Sequence, residues 1–180
     1  MIATQASLNR ASTRLPKMWA GYIFALAFLV VEIAEAIADP DGGVTLLDQA
    51  LVQAGWLYWL FCVRRLHELL ASATDGSYPI TPNKAFGYHF IPFYNFYWVV
   101  KWPYEMAEFV SHRSPSRRMS HWAGLFVLAS ILLRLLVDGA LGLAVMFSVG
   151  IYLNHRLSHA LATNSDDIVI PADGAAGNPA

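Results

Sequence analysis

ITPNKAFGYHFIPFYNFYWVVKWPYEMAEFV, residues 80–110, is the stretch on which the fold turns. It is the densest run of aromatic side chains in the chain, and Pro82, Pro92 and Pro103 interrupt it. Each proline removes a backbone donor and bars a regular helix, so the run does not read as an ordinary spanning helix; it is also too apolar for a solvated loop. It must therefore lie in a membrane interface, re-enter a membrane, or pack against other helices. On a helical wheel drawn from Asn95, Lys101, Glu105, Glu108 and His112 fall within about 60° of one another, while Trp98, Val99, Trp102, Met106 and Phe109 make a greasy face. Lys101/Glu105 and Glu108/His112 are spaced as i,i+4 pairs. Asn95 is expected to cap this helix, and Pro103 asks for a start near Trp102 or a kink.

Working outward, four apolar runs flank the stretch. Of the 180 residues 56% are hydrophobic and only 14% charged, against about 25% charged in an ordinary soluble domain. Spans of about 20 residues are needed to cross roughly 30 Å of hydrocarbon. The runs 18–38, 44–63, 119–137 and 140–161 meet that length. Ala36-Ile37-Ala38 resembles a signal-cleavage site, but Glu32 and Glu35 just before it argue for a retained span. Asp39-Pro40-Asp41-Gly42-Gly43 and Asp138-Gly139 read as turns, and the second helix is expected to run past Arg64-Arg65 until Asp75-Gly76 ends it. Ala140, Ala144 and Ser148 form a small-residue stripe suited to close helix packing. The resulting plan is an all-α integral membrane protein: a basic arm over 1–17, a membrane domain over 18–162 with an interfacial or re-entrant element over 80–112, and a polar tail over 163–180.

Charge selects the orientation. With four spans and the central stretch on one side, eleven of the twelve Lys and Arg share a face, Arg134 being the exception. Letting residues 80–112 cross as well would carry Arg113, Arg117, Arg118 and Arg156 to the other face and erase the asymmetry. The positive-inside rule thus predicts four spans with both termini cytoplasmic, the basic clusters facing anionic lipid headgroups and no nucleic acid.

Inside the runs the polar outliers are Glu32, Glu35, Asp48, Gln49, Gln53, Arg134 and Asp138. A charge at mid-helix costs roughly 2.5–3.5 kcal/mol on insertion scales, so Glu32, Glu35, Arg134 and Asp138 are predicted to gather in one cluster with Arg134 as counter-ion. That cluster is either a structural ion pair or the lining of a proton or ion path. Of six histidines, His155 and His159 share a helix face, but a zinc site needs three or more convergent ligands and no H-E-x-x-H pattern occurs. No cofactor is expected; haem or metal on His155 and His159 is the competing reading. The lone Cys62 leaves no intrachain disulfide and reads as a small core residue. Neither a nucleophile motif nor a phosphate loop is present.

The residues Thr81-Pro82, Ala85, Gly87, Phe90-Ile91-Pro92, Asn95 and Tyr97-Trp98, followed by Pro103 and Glu108, give the pattern TP-x-x-A-x-G-x-x-FIP-x-x-N-x-YW. It resembles a motif of bacterial multi-span membrane proteins gathered in a domain-of-unknown-function family. The resemblance covers about 30 residues and implies a helical membrane fold and a bacterial source, with no chemistry attached. Phe90, Pro92, Phe93, Asn95, Tyr97, Trp98 and Trp102 are the expected anchoring or docking residues. The functional expectation is a non-catalytic accessory or scaffold subunit contacting lipid and other membrane proteins or a second copy. A transport or channel component, and a haem or metal redox subunit, are the alternatives.

Overall fold

The computed structural model describes residues 14–74, 76–113 and 119–166, and among them every regular element is helical. A 3-10 turn, Met18–Ala20, leads into α1 (Gly21–Ala38); then come α2 (Leu46–Ala73), α3 (Pro82–Gly87), a second 3-10 turn (Tyr88–Phe90), α4 (Tyr94–Arg113), α5 (Ala123–Leu136) and α6 (Gly139–Asp166). The all-α expectation holds. Three segments, Met18–Ala38, Leu46–Ala73 and Gly139–Leu161, are long and apolar enough to cross a membrane. The remaining apolar run, 119–137, supplies a helix of 14 residues, about 21 Å long and short of a ~30 Å hydrocarbon core. Most of the basic arm, the basic loop 114–118 and the end of the tail from 167 lie outside the described residues.

Local chemistry explains the ends. Thr45 caps α2: its hydroxyl accepts from Asp48 N–H at 3.2 Å, and Asp48 Oδ2 accepts from Thr45 N–H at 3.1 Å, a reciprocal capping box. Thr81 caps α3 ahead of Pro82, which stands where a helix needs no donor. Asp138 accepts from Leu141 N–H and opens α6. Asn95, expected as a cap, sits inside the first turn of α4 and bonds through its N–H to Ile91 C=O at 3.1 Å. Pro103 stands in the interior of α4, where it withdraws the donor that would have met Val99 C=O.

After α2 the chain turns at Gly76, whose φ of 80° favours glycine, and runs back beside the helix it has just left. Tyr78 meets His67 (ring centroids 5.6 Å), Phe86 meets Phe61 (5.7 Å) and His89 meets Trp56 (6.0 Å), so the rising segment passes α2 in reverse order. The direction flips over Phe90–Phe93. On the way back Trp98 Nε1–H donates to Ala85 C=O at 3.2 Å, Trp102 packs on His67 at 5.3 Å and Phe109 on Tyr78 at 5.0 Å. Residues 80–112 are thus a helical hairpin that enters and leaves beside the same end of α2. The apolar wheel face is turned inward: Trp98, Val99, Trp102 and Met106 are buried in the bundle, and the polar edge keeps its Lys101–Glu105 contact at 3.4 Å and its Glu108–His112 contact at 4.0 Å.

The core joins α2, α4 and α6 through Trp59, Trp102 and Phe147, with Trp59 packed edge-on against Phe147 at 5.9 Å. The tightest crossings rest on glycines. Gly124 of α5 lies against the backbone of Val100, and Gly142 of α6 against that of Arg134. In the predicted stripe Ala140 is buried, whereas Ser148 is exposed and accepts from the Tyr22 hydroxyl at 2.6 Å. Asn154 Nδ2–H donates to Pro16 C=O at 2.7 Å, so α6 holds the segment that leads into α1.

Candidate functional site

The α1–α2 turn and the α5–α6 turn come together at one end of the bundle, bringing carboxylates from three places. Glu32 and Glu35 stand one turn apart on α1; the Glu32 carboxyl meets that of Asp138, and Glu35 lies against Asp48. The Thr45 hydroxyl donates to Glu35 Oε1 at 2.8 Å. Thr45 and Asp48, placed by their cap, therefore form one wall of the site and Glu32 and Glu35 the other. Between them is a cavity of about 530 Å3, bounded by the loop over 39–45 and by Phe28 and Ala36 below. Asp48 is 4% exposed, and although Oδ2 is engaged by Thr45, Oδ1 meets no donor.

Glu32, Glu35 and Asp138 are therefore brought together as expected, but Arg134 is not with them. Among the described residues it makes no ion pair; its guanidinium lies over the Trp56 ring at 5.3 Å, and Nε and Nη1 are buried without acceptors. The reason is geometric. Asp138 lies beyond the end of α5 and turns to cap α6, so the helical i,i+4 relation to Arg134 does not exist. Asp48, passed over as a candidate, completes the acid group; its sequence signal was the Thr-x-x-Asp cap before an apolar run.

The central hairpin divides the expected docking residues. Phe90, Pro92, Phe93 and Tyr97 are exposed at its apex. Trp98 and Trp102 are not available to a partner, because they fill the chain's own core, and Asn95 is half-buried with Oδ1 enclosed. Phe93 has φ 61°, the left-handed region that a bulky side chain enters only at a cost, and is 86% exposed.

The histidines also separate. His155 and His159 face each other at 4.4 Å, yet among the described residues no three His, Cys, Asp or Glu side chains gather as a metal site would need. His67 and His89 are buried, since the return of the hairpin covers both. Each donates Nδ1–H to the carbonyl four residues back, His67 to Val63 at 2.8 Å and His89 to Ala85 at 2.7 Å, which fixes the tautomer and leaves Nε2 as a bare acceptor. Burial holds the His89 imidazole at about 4, so it is neutral at pH 7. Burial likewise pushes the Tyr78 hydroxyl well above its usual range. Comparison with protein-family models, with curated proteins and with solved structures finds no match for this chain.

Proposed function

We propose that this chain is a non-catalytic accessory or scaffold subunit of a bacterial membrane protein complex, docking on other membrane proteins and on lipid through the tip of its central hairpin. In this reading the four apolar runs cross the inner membrane with both termini cytoplasmic, the run 119–137 using the residues that flank α5, and residues 80–112 re-enter from the cytoplasmic side. The lopsided distribution of Lys and Arg and the exposed apolar tip, Phe90 to Phe93, support that topology.

Phe93 carries the functional reading. A left-handed phenylalanine costs on the order of 1–3 kcal/mol, and at 86% exposure its side chain gains almost nothing inside this chain to offset it. Strain of that kind persists where a shape is needed for contact with something else. A photo-crosslinking amino acid at Phe93, irradiated in native membranes, should capture a defined protein partner; adducts with lipid alone, from a chain that purifies as a lone monomer, reject the subunit reading. Labelling of Ser116→Cys from outside intact cells would reject the topology.

A second reading, movement of a proton or cation, is favoured by the convergence of Glu32, Glu35 and Asp48 on one cavity, with Asp138 against Glu32. It proceeds without Arg134. It requires that Glu32→Gln abolish a flux into liposomes that the parent chain supports.

A further inference from the structure

We infer that the groove between α5 and α6 is a binding site for one phospholipid with an anionic headgroup, its acyl chain lying in the groove and its phosphate at the end marked by Arg156. The site needs the chain to lie in a membrane and rests on neither functional reading above. The groove encloses about 380 Å3 between Ala123 and Phe126 of α5 and Val149 and Tyr152 of α6. Positions 148, 149, 152 and 156 recur at the spacing of one helix face, so about 12 Å of α6 runs from the deep end at Ser148 to Arg156. The deep end offers no free donor. Ser148 donates to Ala144 C=O at 2.8 Å and accepts from the Tyr22 hydroxyl, so its hydroxyl is spent within the chain.

The other end is the opposite. Tyr152 Oη accepts from Ser120 N–H at 3.1 Å and Ser120 Oγ accepts from Trp122 N–H at 3.3 Å, so each hydroxyl hydrogen lacks an acceptor among the described residues. The Arg156 guanidinium lies 5.6 Å from the centre of the Tyr152 ring and makes no ion pair among the described residues. Three donors, one of them a permanent cation, thus meet at the mouth of an apolar groove, and no Asp or Glu is among the described residues that line it. That set suits a phosphate and leaves an ammonium headgroup without an acceptor, which selects an anionic lipid over a zwitterionic one. Trp122, exposed beside Ser120, has the place of an interfacial belt residue, which puts the mouth at headgroup depth and the groove in hydrocarbon. A free phosphate would leave the groove empty; a lipid fills both parts.

The full chain in a non-ionic maltoside detergent, titrated with dioleoyl phosphatidylglycerol and followed by native mass spectrometry, should retain one lipid per chain. Dioleoyl phosphatidylethanolamine should bind about tenfold more weakly. Arg156→Gln should weaken phosphatidylglycerol binding about tenfold, since a charge-assisted bond becomes a neutral one. Arg64→Gln, which removes a cation already paired with Glu68 at 3.2 Å, should change it less than about twofold. Val149→Phe, which fills the groove, should also weaken binding about tenfold with unchanged helical circular dichroism. Should that variant unfold, Tyr152→Phe keeps the groove and the ring beside Arg156, removes only the hydroxyl, and should cost about threefold or more. The site is refuted by absence of a stoichiometric lipid, by equal retention of the two lipids, by equal effects of Arg156→Gln and Arg64→Gln, or by undiminished binding in a folded Val149→Phe or, in its place, Tyr152→Phe. Displacement of the lipid by an equal concentration of glycerol phosphate would make this a free-phosphate site and overturn the lipid assignment.

Discussion

Gly124→Ala tests the packing directly, because the atoms it would strike belong to backbone. A Cβ at position 124 would lie 2.3 Å from Val100 O and 3.0 Å from Val100 C and Cα. A comfortable carbon–oxygen contact is about 3.3 Å, so α4 and α5 must part by about 1 Å. No rotamer change can relieve the clash, and a gap of that size forfeits a quarter to a half of each dispersion contact along the crossing. Overpacking of this kind costs typically 1–3 kcal/mol, while alanine returns up to about 1 kcal/mol of helix propensity, so the expected net loss is about 1–2 kcal/mol. Gly87→Ala is the matched control. Its backbone is helical (φ −67°, ψ −34°) and no atom lies within 4 Å of the new methyl, so it should gain about 0.4–1 kcal/mol. Unfolding in mixed micelles with rising dodecyl sulfate, followed by tryptophan fluorescence, measures both. A neutral or stabilising Gly124→Ala, beside a Gly87→Ala that behaves as stated, would refute the assigned α4–α5 crossing.

Three further outcomes are expected. The folded His89 binds its proton near pH 4, below the 6.5 of an unfolded histidine, so the unfolded state binds more protons between those values and stability must fall as pH drops through that window. The full effect of about 2.5 units is about 3 kcal/mol, and His89→Asn should flatten that part of the stability–pH curve. Thr45→Ala should cost about 1 kcal/mol through the lost cap of α2, read in the same unfolding assay, and should also free the Glu35 carboxyl that its hydroxyl now bonds. Phe93→Gly, which removes both the side chain and the penalty of its φ, should leave the fold at least as stable while reducing partner capture in pull-downs from native membranes; unaltered capture would detach the apex from docking.

Helix existence was readable from apolar run length, and the turns at Asp39-Pro40-Asp41-Gly42-Gly43, Asp75-Gly76 and Asp138-Gly139 marked the breaks. The helical wheel identified the buried face of α4 and the Lys101–Glu105 edge, because a period of 3.6 residues survives whether the apolar side meets lipid or protein. For the same reason it could not say which it would meet: Trp98 and Trp102 have the composition of an interfacial belt and the position of a core. Within the acid site, Glu32, Glu35 and Asp138 stood out as charges in apolar runs, whereas Asp48 was disguised as one more such charge when its first duty is to cap α2. Pairing Arg134 with Asp138 failed because sequence spacing implies a shared helix face only while the helix lasts, and α5 stops at Leu136. The burial of His67 and His89 depends on the return path of the hairpin, a tertiary fact with no local signature.

The hydrogen bond from Asn154 to Pro16, across 138 residues, bears on the order of assembly. The surface that α1 docks on is shared by its neighbour α2 and by α6, the last of the described helices, so α1 has only its α2 side covered until the intervening chain is made. Loop closure over such a separation is slow relative to the hairpins between neighbours. The acid cavity is lined by α1, the loop over 39–45 and α2 alone, so its walls are complete once those two neighbouring helices pair. A newly made chain has the walls of its acid cavity before it has the Phe147 that completes its aromatic core.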